Sequence, residues 1–267
     1  MDNPRPLWYN ISCIRMTMEA YALKTDILGV RFDNVTLEEA VAAGAALARG
    51  PGWGYVVTPN PEFVLEARKD PEFRAALAGA ALTVADGIGV TYAAKLLGTP
   101  LKGRVPGIDF AAGLMKEMAK EGLRLYLLGA KPGVAELAAA ELEKAYPGLT
   151  VCGVRDGYFK EEESPVVAAS IREAGADVVF VCLGAPKQEK WMEAYGQATG
   201  AHLLAGLGGS LDVFAGTVER APAAWQRLGL EWLYRLVKEP WRWKRMIKLP
   251  LILWYALLAR LGGKKHG

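Results

Sequence analysis

The 267-residue sequence predicts an α/β protein, a mostly parallel sheet flanked by helices with a helical appendage at the C-terminal end. Three observations carry this. From Thr25 to Gly216, short β-rich runs alternate with helical patterns, as in parallel strands joined by crossover helices. Several of those runs end in glycine or a polar residue directly before a helix, which is where open α/β sheets bind ligands. After about Ala221 the character changes to tryptophans interleaved with basic residues. The expected organisation is an N-terminal extension over residues 1–20, an α/β unit over 21–220 and a basic, Trp-rich appendage over 221–267.

The predicted strands, in order, are Asp26–Val30, Tyr55–Thr58, Leu82–Ala85, Leu125–Leu128, Thr150–Val154, Val178–Leu183 and His202–Leu207. Between them the helical pattern covers Glu38–Arg49, Pro61–Lys69, Ile88–Leu97, Phe110–Glu121, Val134–Ala145 and Pro165–Ala174. Thr36 and Glu39 frame the first helix as a capping box, hydroxyl to backbone N–H and carboxylate back again. This arrangement lines up five loops on one rim: 58–60, 86–89, 129–133, 184–189 and 206–212.

Composition bounds the chemistry. A 52% hydrophobic, 23% charged chain of this length fills a core. Its three cysteines, Cys13, Cys152 and Cys182, are scattered, which excludes a disulfide framework or zinc knuckle and fits a reducing compartment. Two histidines, His202 and His266, are too few for a His-based metal centre or triad. The first twenty residues lack the apolar stretch and small-residue cleavage site of a signal peptide, so they read as an arm, a disordered extension or an early start. From Arg235 onward nine Lys/Arg face one acid, a surplus of eight, and the net +3 leaves −5 on the preceding 234 residues. A basic tail on an acidic body points to an anionic partner. The appendage from about Ala221 holds five of the eight tryptophans and an eleven-residue apolar run, Leu249–Ala259. That run falls short of the about 20 residues that span a bilayer. Tryptophan and basic residues beside a short apolar run describe helices lying in a membrane interface. They also allow stacking on single-stranded nucleic acid, against which the apolar run argues.

Four stretches carry candidate chemistry. Asp86 ends an apolar strand before Gly87-Ile88-Gly89, a carboxylate placed to act as a general base; as an N-cap of the next helix it would look the same. Thr58 and Asn60 offer hydrogen bonds to a ligand, although Asn60 before Pro61 also reads as a plain N-cap. Lys187 and Gln188, opening a helix after Gly184-Ala185-Pro186, put a cation and an amide on the rim. Gly208, Gly209 and Asp212 form a turn able to meet a phosphate or a ribose hydroxyl. This turn is no Walker A loop and misses the last glycine of a dinucleotide fingerprint, which weakens an NAD(P)-dependent oxidoreductase as the alternative enzyme class.

Taken together and in order, the segments 58–62, 85–89, 184–189, 206–216, 220–222 and 231–245 closely resemble the WecG/TagA/CpsF family of glycosyltransferases. The resemblance implies a Rossmann-like α/β enzyme with no cofactor and no metal, in keeping with the lack of any D-x-D pair. It implies an inverting transfer of N-acetylmannosamine from a UDP-sugar donor to the 4-hydroxyl of N-acetylglucosaminyl-diphospho-undecaprenol. The product would be an early lipid-linked intermediate of wall teichoic acid or a related surface polymer. Members with other UDP-sugar donors exist, so the donor is the alternative within the family. By resemblance Asp86 is the catalytic base, Thr58 and Asn60 lie near the reacting sugar, and Gln188 is a pocket amide needed for activity. Arg235, Arg242 and Arg245 match arginines of an appendage that folds over the site and meets diphosphate charge. That appendage also serves association with the anionic membrane surface at the cytoplasmic face, through residues 235–267, and competes with homo-oligomer formation. Nucleic acid is not an expected partner.

Overall fold

The structure is a computed structural model and describes residues 24–238, 240, 243 and 247–263. The N-terminal extension, Arg242 and Arg245 lie outside the described residues. The chain opens with a hairpin, β1 (Lys24–Ile27) and β2 (Val30–Asp33), followed by α1 (Leu37–Arg49), β3 (Gly54–Val57), α2 (Pro61–Ala67), α3 (Pro71–Ala78) and β4 (Leu82–Thr83). Next come α4 (Ile88–Leu97), α5 (Gly107–Glu121), β5 (Arg124–Gly129), α6 (Val134–Ala145), β6 (Thr150–Arg155), α7 (Ser164–Glu173), β7 (Val178–Cys182), α8 (Lys187–Tyr195) and β8 (Leu203–Gly206). Four helices close the described chain: α9 (Ser210–Phe214), α10 (Ala223–Arg227), α11 (Glu231–Lys238) and α12 (Lys248–Gly263).

Strands β3 to β8 form one six-stranded sheet in the order β4-β3-β8-β7-β5-β6, and every pairing in it is parallel. Both faces are covered, which explains why β7 is apolar and buried at every position. Alternation divides it: Val179 and Val181 pack with Tyr55, Trp191 and Leu204 on one side, while Val178 and Phe180 pack with Phe110, Leu114 and Leu203 on the other. The capping box of α1 is present, with Glu39 N–H donating to Thr36 Oγ1 (3.2 Å) and Thr36 N–H to Glu39 Oε2 (2.8 Å).

Two local expectations are corrected. The run expected as a single strand over Asp26–Val30 is the turn of a separate antiparallel hairpin, with Ile27 facing Val30. Leu28 (φ 57°) and Gly29 (φ 92°) both sit in the left-handed region, the geometry of a two-residue hairpin turn. Asp26 supports it by accepting the Gly29 N–H at 3.0 Å. The other correction is α3, unforeseen because its start follows α2 almost at once; Asp70 caps it through Phe73 N–H (3.0 Å), with Pro71 in the first turn.

The apolar run near the C-terminus does two jobs along one helix. Ile252 and Ala256 of α12 are fully buried in the core cluster that also holds Val90, Ala93 and Ala94 of α4. The Arg68 guanidinium lies 4.6 Å from the Tyr255 ring centre, Arg260 donates to the Leu96 carbonyl (2.9 Å), and Lys248 pairs with Glu62 (2.6 Å). On its other side α12 leaves Trp254, Leu258 and Leu261 exposed. Among the described residues no helix is long and apolar enough to cross a membrane.

Gly89 makes the α4–α12 contact possible. A Cβ there would stand 2.3 Å from Leu249 Cδ1 and 2.7 Å from Pro61 Cγ. Gly89→Val is therefore expected to lever α12 away from α4, at an overpacking cost of about 1–3 kcal/mol. Hydrogen exchange over residues 248–260 should accelerate while strands β5 and β7 keep their protection. Unchanged exchange in α12 would show that the contact yields without moving the helix.

Candidate active site

The carboxyl ends of β3, β4, β7 and β8 open onto one cavity of about 840 Å³. Thr58, Asn60, Asp86, Gln188, Gly208, Gly209 and Asp212 all line it, brought together from four segments of the chain. Each is held by its local structure. Thr58 is buried, and its hydroxyl donates to the Gly206 carbonyl (3.1 Å), tying the end of β3 to the end of β8. Asn60 does cap α2: its Oδ1 accepts from Glu62 N–H (2.8 Å) and Phe63 N–H (3.4 Å). With the oxygen so committed, the group Asn60 has for a ligand is its NH2.

Asp86 follows β4, and its N–H donates to the Pro59 carbonyl (3.1 Å), which binds the two ligand loops to each other. The N-cap of α4 is Gly87 and not Asp86. The capping position is thus filled by the next residue, and Asp86 stands in the cavity wall beside the start of that helix.

The amide of Gln188, 1% exposed, is held at both ends: Oε1 accepts the Gly208 N–H (3.1 Å) and Nε2 donates to Glu189 Oε1 (2.6 Å). Gly208 adopts φ 56°, a left-handed conformation that glycine takes without strain. The turn is closed by Ser210, whose N–H (3.2 Å) and hydroxyl (2.8 Å) both donate to the Leu207 carbonyl. Asp212 opens this side of the cavity and uses its own carbonyl to hold Thr217 and Val218 N–H (3.0 Å each). Lys187 is placed elsewhere. Its ammonium lies 4.5 Å from the Phe159 ring centre and donates to the Gly157 carbonyl (3.3 Å), and the residue is not in the cavity wall. The 129–133 loop is likewise absent from that wall.

Glu189 is fully buried, and burial pushes its carboxyl up to about 7. A carboxyl that takes up its proton more readily in the folded state contributes stability at low pH and loses it as pH climbs from about 4.5 to about 7. Glu189→Gln removes this titration. The melting temperature of Glu189→Gln relative to wild type is therefore expected to be higher at pH 8 than at pH 5. An offset equal at both pH values would place the Glu189 titration outside this range. The two described cysteines are unsuited to nucleophilic work, since burial raises Cys152 and pushes Cys182 up to about 12.

The cavity has two further walls, one of them, at Arg104, not announced by any motif. Arg104 reaches it from the segment between α4 and α5, anchored by the Val105 N–H on the Ala85 carbonyl (2.8 Å). Glu231, Trp232, Tyr234 and Lys238 line it from α11, the helix to which Arg235 belongs. Arg104 pairs with Glu231 at 2.7 Å, Arg220 reaches the same carboxylate at 3.4 Å, and Arg220 grips Asp109 with two nitrogens (2.6 and 2.9 Å). These four charges, each 17–29% exposed, fasten the start of α11 against the cavity wall. Burial opposes the Arg220 charge, but the Asp109 and Glu231 carboxylates outweigh it and raise its pKa. Among the described residues no cluster of three or more His, Cys, Asp or Glu is placed to hold a metal ion.

A doubly covered parallel sheet whose strand ends present a carboxylate, amides, a guanidinium and a glycine turn to a cavity defines an α/β enzyme acting on a polar ligand. The chain belongs to the WecG/TagA/CpsF family of glycosyl transferases, whose family model matches residues 25–266. That membership sets aside the oxidoreductase class. The chain is similar to the N-acetylglucosaminyldiphosphoundecaprenol N-acetyl-beta-D-mannosaminyltransferase of Bacillus spizizenii, 38% identical over 196 residues, covering 73% of this chain and 76% of the relative. It is likewise similar to the enzyme of that name from Bacillus subtilis, 39% identical over 195 residues, with 73% and 75% covered.

Proposed function

We propose that this enzyme moves N-acetylmannosamine, with inversion, from UDP-N-acetylmannosamine to the 4-hydroxyl of N-acetylglucosaminyl-diphospho-undecaprenol. The observation that carries the reading is Asp86 in the wall of a cavity shared with Thr58, Asn60 and the 206–212 turn, in a chain 38–39% identical to two enzymes so named. Asp86 takes the proton of the acceptor hydroxyl as its oxygen attacks the anomeric carbon, and the bond to the UDP oxygen breaks on the opposite face. UDP leaves with the bonding electrons. Its charge is met by Arg104, by cations of α11 and by backbone N–H groups of the glycine turn, preorganised donors in a partly enclosed site. Trp232 and Tyr234 supply apolar faces against which a sugar or base ring can rest.

The membrane supplies the acceptor, and the exposed side of α12 suits it. Trp254, Leu258 and Leu261 face outward on a segment rich in Lys and Arg, the composition of a helix lying in the headgroup region. We place the enzyme peripherally on the cytoplasmic face on that basis. The decisive experiment supplies a short-chain lipid-linked N-acetylglucosamine acceptor with a panel of UDP-sugars and weighs the product. Gain of one N-acetylhexosamine from UDP-N-acetylmannosamine supports the reading. Transfer from a different UDP-sugar alone reassigns the donor, and no transfer from any of them sinks the proposal.

A further inference from the structure

Directly behind the glycine turn lies a buried carboxyl that the chemistry above does not use. Glu189 is 0% exposed. Its Oε1 accepts from Gln188 Nε2 (2.6 Å), and among the described residues its Oε2 has no hydrogen-bond partner. Trp191 and Met192, the next apolar residues of α8, are buried with it. A carboxyl in such a place weakens the fold, because desolvating a polar oxygen without a partner costs free energy. An apolar side chain of similar size would remove that cost. Local rules broken at such expense mark functional positions.

The neighbouring amide shows what the carboxyl does. A glutamine amide has two faces of nearly equal shape, an oxygen that accepts and an NH2 that donates. Gln188 must present its oxygen to Gly208 N–H; turned over, it would set a donor against a donor. Glu189 settles the choice, since its Oε1 takes the NH2 and leaves the amide oxygen facing Gly208. With a proton on Oε2 the same oxygen still accepts, so the tie holds in either state. The end of β8 is packed onto this pair: a Cβ on Gly206 would stand 3.0 Å from Gln188 Nε2 and 3.4 Å from Glu189 Oε1.

We propose that Glu189 is a positioning residue for the donor end of the site: it fixes the direction of the Gln188 amide, which in turn holds the Gly208 turn in the shape that receives the nucleotide diphosphate. The inference rests on the reading of the 206–212 turn as the donor's seat. Glu189 touches neither substrate nor reacting atoms and acts only through Gln188.

The test titrates full-length wild type, Glu189→Met and Glu189→Gln with UDP by calorimetry and records melting temperatures alongside. Glu189→Met is expected to lose about tenfold or more in UDP affinity while melting no lower than wild type, a combination that a purely structural residue would not give. Glu189→Gln keeps an accepting oxygen and should bind UDP within about threefold of wild type. In turnover assays the Met variant should raise the donor KM and leave the acceptor KM in place. Amide exchange over residues 207–212, which needs no ligand, should accelerate in the Met variant. Should methionine not be accommodated, Glu189→Ala carries the same comparison of exchange and binding. A Met variant with wild-type UDP affinity or unchanged exchange overturns the proposal, as does a Gln variant impaired as badly as the Met variant. Wild type that fails to bind UDP, with exchange still responding to Glu189→Met, would overturn the donor reading and leave the amide tie standing.

Discussion

Asp86→Asn is expected to lower turnover by about 10²-fold or more, with UDP affinity kept close to wild type. Asparagine preserves the size and hydrogen-bonding outline of the residue but cannot take a proton. The substitution should leave the cap of α4 intact, because Gly87 fills the capping position. It should also leave the tie between the two ligand loops intact, because that bond is made by the Asp86 backbone N–H on the Pro59 carbonyl. The loss should therefore fall on the rate at saturating substrates. Product formation in single-turnover mixtures, with UDP binding measured on the same samples, checks the prediction. A variant that turns over normally would remove Asp86 from the role of base.

The second large effect concerns the outer side of α12. Leu258→Glu combined with Leu261→Glu is expected to cut flotation on anionic vesicles by about tenfold or more, since a charge replaces apolar area in the headgroup region. Both residues are exposed, whereas Ile252 and Ala256 hold the helix to the core. The melting temperature should accordingly stay near that of wild type. Wild-type binding should weaken with added salt and on neutral vesicles if basic side chains contribute. Undiminished flotation of the double variant would mean that another surface meets the membrane.

Much of the sheet was legible because its strands are short apolar runs that stop at a glycine or polar residue. Val178–Cys182 is the clearest case, apolar throughout because both faces are covered. The hairpin was not, because its turn is Leu28-Gly29 and lacks the usual Asn-Gly or Asp-Gly signal, so Ile27 and Val30 read as one strand. At the site, Asp86 and Thr58 were legible as polar residues at strand ends. Asn60 is the N-cap that its place before Pro61 suggested, and it also lines the cavity. Lys187 and Gln188 were read together because they are adjacent. Consecutive helical residues point about 100° apart, and only Gln188 turns toward the glycine turn. Arg104 carried no signal, since its segment has no motif and its partner Glu231 lies 127 residues further along. Such a pairing exists only in the folded chain.

The packing of α12 on α4 changes how loss-of-function substitutions in this enzyme should be classified. Helix α4 begins two residues after Asp86 and packs against the buried face of α12. Damage at Ile252 or Ala256 therefore reaches the helix that follows the proposed base as well as the helix proposed to meet lipid. A screen scored on product alone would file such positions with the chemistry, while one scored on membrane binding would file them with the anchor. Only scoring the two readouts jointly sorts residues 249–256 correctly, with the outward positions failing one readout and the inward positions failing both.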